Sequence, residues 1–83
     1  MVQNLSKNES FNTVTLDVRE LEPCEPMVRI LEAAEQLGDN DRILALHRKE
    51  PFPLFSILKE RGYNFSTDKK SEDLFEILIW RTS

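Results

Sequence analysis

The sequence predicts an α+β two-layer sandwich, with a four-stranded mixed sheet and two helices on one face, in the order β-α-β-α-β-β. Three observations carry this reading. Four segments show strand-type patterns, either apolar residues at every second position or a short continuous apolar run. Two segments between them have helical periodicity, and each runs into a glycine, Gly38 or Gly62. The last two strand-like segments are joined by a short polar stretch, which makes them an antiparallel pair.

Thr13 to Val18 is the first strand, with Val14, Leu16 and Val18 sharing one face. Arg19 to Glu25 forms the connection to the first helix. Pro26 suits a first helical turn, where its missing N–H costs nothing. Met27, Ile30, Leu31, Ala34 and Leu37 then make a single stripe. Gly38 is expected in the left-handed cap position, followed by an Asp39-Asn40-Asp41 turn. Arg42 to Arg48 encloses four consecutive apolar residues, the pattern of a central strand covered on both faces.

Pro51 and Pro53 make Lys49 to Pro53 a loop, with Pro53 opening the second helix. Leu54, Ile57, Leu58 and Arg61 form its stripe, and Gly62 caps it. Tyr63 to Thr67 is the third strand, Asp68 to Asp73 a polar turn, and Leu74 to Arg81 the last strand. Lys69 and Lys70 fall in that turn, where charge discourages edge pairing. The helical crossovers favour right-handed parallel βαβ units, and packing both helices on one side leaves the other sheet face open. The last strand places Phe75, Ile77 and Ile79 on one face and Leu74, Glu76, Leu78 and Trp80 on the other. Part of the open face is therefore apolar. A protein partner at Leu78 and Trp80, or a weak homodimer in place of a monomer, is the functional expectation for it; partial cover by the N-terminal tail or by long polar side chains is the alternative.

The 83 residues and 9.7 kDa fit one domain, divided into a flexible tail over 1–12, rich in Asn and Ser, and a folded unit over 13–83. Eleven basic against fifteen acidic residues give a net charge of −4, a poor basis for nucleic-acid binding. No apolar run approaches the roughly 18 residues of a membrane span, and the N-terminus has no secretory pattern. A single cysteine excludes an intramolecular disulfide and suits a cytoplasmic setting. One cysteine and one histidine offer too few ligands for a structural zinc, so no metal and no cofactor is expected. Neither glycine belongs to a phosphate-binding loop, since both are accounted for at helix ends.

From Leu16 through Asp17, Arg19, Leu21, Pro23, Cys24 and Pro26, the chain resembles the small TusA/SirA-like sulfur carriers. Their pattern is a strand ending in Leu-Asp-x-Arg-Gly-Leu, then Cys-Pro-x-Pro opening the first helix. The resemblance covers roughly Thr13 to Arg81. It is closer still to an uncharacterised bacterial branch of that superfamily, through Pro51-Phe52-Pro53-Leu54 and Glu60-Arg61-Gly62-Tyr63. It implies the same β-α-β-α-β-β fold. A gapless alignment on Asp17, Arg19, Leu21 and Pro26 sets Pro23 where the carriers have their sulfur-bearing cysteine. Cys24 falls one residue late, and Glu20 replaces the usual glycine. The carrier role is thus conveyed to no residue of this chain.

Cys24 nevertheless stands just before a helix start, where a thiolate is favoured, although Glu20, Glu22 and Glu25 oppose it. It is a candidate thiol, against the alternative of an inert loop cysteine. Parallel strands gather their C-terminal ends along one sheet edge, which would bring Arg19, Cys24 and His47 together. Arg19, Glu25, Pro26, His47 and Arg48 are accordingly the candidate edge site, for an anion or a small ligand. The functional expectation is a non-enzymatic binding or accessory module that lacks the usual carrier cysteine. The alternative is a sulfur-relay or thiol redox protein that uses the displaced Cys24.

Overall fold

The computed structural model describes residues 12–22 and 25–81. Along the chain these form β1 (Asn12–Asp17), α1 (Glu25–Glu35), β2 (Asp41–His47), α2 (Phe52–Glu60), β3 (Tyr63–Ser71) and β4 (Leu74–Arg81). The element order is the expected one. Strand β1 opens at Asn12, the last residue assigned above to a tail, whose backbone N–H donates to the Asn40 carbonyl at 2.8 Å. The rest of that tail, with Pro23 and Cys24, lies outside the described residues.

The sheet order is β1-β2-β4-β3, with β1 and β2 parallel and the other two pairings antiparallel. Strands β2 and β3 run in the same direction, as a helical crossover demands, yet they are not neighbours. Strand β4 returns between them and pairs with both. The apolar content explains the choice. Leu74 to Arg81 carries six large apolar residues in eight, so it belongs at the centre. Tyr63 to Ser71 is mostly polar and exposed from Ser66 onward, which suits an edge.

Val18, Ile30, Ala34, Ile43, Ala45, Leu54, Leu58, Ile77 and Ile79 are almost wholly buried in one cluster. The cluster joins the stripes of both helices to one sheet face, so both helices lie on the same side. Leu16, Met27, Leu31, Phe55, Tyr63 and Phe65 pack around it. Phe55 stacks on Phe65 with centroids 4.3 Å apart and planes 11° apart, which seals α2 onto the edge strand. The Tyr63 hydroxyl donates to the Ala34 carbonyl at 2.9 Å and ties β3 to α1.

Two local expectations are corrected. The hairpin turn is not Asp68 to Asp73. Strand β3 continues to Ser71, and only Glu72 and Asp73 turn the chain. Alternation ends at Thr67 because an exposed edge strand needs no apolar face. Asp68 and Lys69 still pair with Glu76 and Phe75, and the register shifts between Lys69 and Ser71. Lys70 sits at that irregularity, 3.0 Å from the Asp68 carboxylate and 3.9 Å from that of Glu76. The lysines thus guard an edge strand and not a turn.

Gly38, for its part, does not take the left-handed conformation; Gly62 does, at φ +87°. Gly38 follows the buried Leu37 and donates its N–H to Asp41 Oδ2 at 2.8 Å. A Cβ there would meet that oxygen at 3.2 Å, so close approach to the side chain accounts for this glycine.

Candidate functional site

Two parallel strands, each followed by a helix on the same side, place the C-terminal ends of β1 and β2 beside the first turns of α1 and α2. A cleft of about 500 Å³ opens there, a volume in the range that holds small molecules. Its apolar surface comes from Val18, Leu21, Met27 and Leu54, supplemented by Pro26, Pro51 and Pro53. Its polar lining is Arg19, His47, Arg48 and Lys49. Among the described residues no carboxylate lines the cleft, although acidic residues outnumber basic ones in the chain.

Four of the five candidate edge residues, Arg19, Pro26, His47 and Arg48, meet in this cleft. Glu25 does not line it; it is the exposed first residue of α1. Cys24 lies outside the described residues. Lys49 and the apolar floor were not among the sequence candidates. Their signal was positional, since each of them falls in a strand-to-helix connection or the first turn that follows one.

The polar groups are held in defined states. Arg19 grips Asp17 with a fork, Nε to Oδ1 at 2.9 Å and Nη2 to Oδ2 at 2.8 Å, and its backbone N–H also donates to Oδ1 at 3.1 Å. The hydrogen bonds from the Arg19 side chain, then from its backbone, hold the Asp17 carboxyl down at about 2. Arg48 pairs loosely with Glu20 at 3.9 Å. His47 accepts the Lys49 backbone N–H on Nδ1 at 3.1 Å. A neutral imidazole so bonded carries its proton on Nε2, which makes it a donor there. Partial burial, and secondarily the nearby Lys49 charge, push the His47 pKa below its ordinary value, so the ring is neutral at physiological pH.

The Asp17 fork has a pH signature. Its carboxyl is more acidic in the folded chain than in the unfolded one, so its stabilisation is complete above the ordinary carboxylate pKa near 3.8 and disappears as pH falls through about 2. Both side chains are roughly half exposed, so the effect is small. We expect the melting temperature of Asp17→Asn to lie below that of the wild type at neutral pH. The gap should close as pH falls from about 4 to about 2. A gap that persists at pH 2 would assign the loss to something other than the ionised fork.

Among the described residues no group of three His, Cys, Asp or Glu side chains is placed to hold a metal ion, and no helix is long and apolar enough to cross a membrane. Searches of curated proteins and of solved structures return no match. The model of a family described as an uncharacterized conserved protein, DUF2249, matches residues 15–81. That span runs from β1 to the end of β4 and includes every residue that lines the cleft, so the chain belongs to the DUF2249 family.

Proposed function

We propose that this domain is a non-enzymatic binding module whose cleft takes a small organic anion with an apolar body. The observation that carries the proposal is the lining among the described residues: an apolar floor, a rim of Arg19, Arg48 and Lys49 with a neutral His47 donor, and carboxylates only outside it, where Asp17 and Glu20 pair with the two arginines. The element order and the one-sided helix layer support kinship with the TusA/SirA-like carriers. Pro23 at the carrier-cysteine position favours a fold kept for binding over one kept for sulfur transfer.

Octanoate is a suitable probe, with octanol and acetate as its apolar and anionic halves. Ten non-hydrogen atoms at roughly 0.4 kcal/mol each give a dissociation constant of about 1 mM. Titration followed by amide chemical shifts should move Val18, Leu21, Met27 and Leu54 with octanoate and require about tenfold more of either control. The double substitution Arg48→Gln and Lys49→Gln should weaken octanoate about tenfold. Cys24→Ala should leave binding unchanged; its loss would favour the thiol alternative. Absence of shifts at the cleft with all three probes would overturn the proposal.

A further inference from the structure

The open sheet face carries a pattern that the cleft does not use. Cross-strand register sets its side chains in three rows. The first is Thr13, Arg42, Trp80 and Asn64; the second is Thr15, Leu44, Leu78 and Ser66; the third is Asp17, Leu46, Glu76 and Asp68. The central strands thus present Leu44, Leu46, Leu78 and Trp80 as one apolar patch between polar edge strands. None of these four belongs to the core cluster, and all are only partly buried. Charge lies at opposite ends of the patch. Arg42 stands in the first row, over the Trp80 ring at 5.4 Å. The third row has three carboxylates, which share the two cations Arg19 and Lys70 and remain net negative.

We propose that this face pairs with the same face of a second copy of the chain, about a two-fold axis running across the strands. Such an axis reverses the strand direction and sets the first row of one copy over the third row of the other. Arg42 then approaches the partner's acidic end, and the leucines meet at the centre. An axis along the strands would instead oppose like rows, setting the acidic third rows of the two copies against each other, so charge complementarity selects the first arrangement. Four strands about 4.8 Å apart and six residues rising about 3.3 Å each present roughly 400 Å² per copy. That lies at the low end for specific complexes, so the dimer is weak and dependent on concentration.

Sedimentation equilibrium of the full chain from about 10 μM to about 1 mM tests this, because weak complexes dissociate within that window. The expected result is a mass rising from monomer toward dimer, accompanied by a blue shift of the emission of Trp80, the only tryptophan. Arg42→Glu and Glu76→Arg should each weaken self-association at least about tenfold. Mixed in equal amounts, they should restore it, since both ends of the mixed pair are then complementary. Circular dichroism establishes that each variant is folded. If one is not, Leu78→Lys, confined to the open face, replaces it and should abolish association. A monomer at the highest concentration, with emission independent of concentration, would overturn the proposal. So would Trp80 emission that is already blue-shifted at every concentration and moves to the red only on deletion of residues 1–11, which would make the chain's own N-terminal segment the occupant.

Discussion

Ile77→Asp is expected to abolish the folded state, whereas Leu78→Asp, one residue along the same strand, is expected to leave it standing. The two side chains point to opposite faces of β4. Ile77 opposes Ala45 on β2 and Thr67 on β3, beneath both helices, and has no solvent exposure. An ionised carboxylate there would sit within the apolar core cluster, and burying it costs several kcal/mol even after the group adjusts its protonation. A domain of this size has a total stability of only about 4–12 kcal/mol, so the substitution consumes much or all of it. Leu78 opposes Leu44 and Ser66 on the face without helices. An aspartate there reaches water, and the loss is about 1 kcal/mol, from poorer strand propensity and lost cross-strand contact. Thermal unfolding followed by circular dichroism separates the two. Equal loss of cooperative melting in both variants would mean that both sheet faces are covered in solution.

That contrast also shows how much of the fold was legible in the sequence. Patterns that depend on burial were readable because burial imposes a period. The continuous run from Ile43 to Leu46 and the stripe from Met27 to Leu37 each became the predicted element to within a residue or two, and so did the alternation at Val14, Leu16 and Val18, although Val14 is itself 55% exposed on the edge strand. The split of Leu74 to Trp80 into two faces was legible for the same reason. The position of β4 between β2 and β3 was not, since spatial order follows from competition among whole strands for the sheet centre. The length of β3 was missed because an exposed edge obeys no apolar period. The Phe55–Phe65 stack joins residues that no local spacing connects.

The site divides along the same line. Arg19, His47 and Arg48 meet at one sheet edge, as topology alone implies, since parallel strands must end together. What fixes their chemistry was hidden. The tautomer of His47 depends on a backbone N–H two residues on, and Arg19 is oriented by Asp17, two residues back at the end of β1. That Asp-x-Arg spacing is a signal a sequence reading can use. Alternate residues at a strand end lie on one side, close enough for a carboxylate and a guanidinium to form a fork.

Leu54→Ala should reveal that the cleft and the core share a wall. Leu54 is 1% exposed and belongs to the core cluster, yet it also lines the cleft from the first turn of α2. Truncation removes three buried carbons from a position that neighbouring elements cannot fill, because Leu58 and the sheet residues beneath are already fully packed. Buried leucine truncations cost about 2–5 kcal/mol, and a value near 3 corresponds to a fall of roughly 12–24 °C in melting temperature for a domain of this size. The same change deepens the cleft floor. Carboxylates one or two methylenes longer than octanoate should therefore gain affinity relative to octanoate in the variant, by up to roughly fourfold per buried methylene. The stability loss tests the core assignment, and the change in chain-length preference tests the cleft. A destabilised variant with unchanged preference would confine Leu54 to the core and move the ligand's apolar body toward Leu21 and Met27.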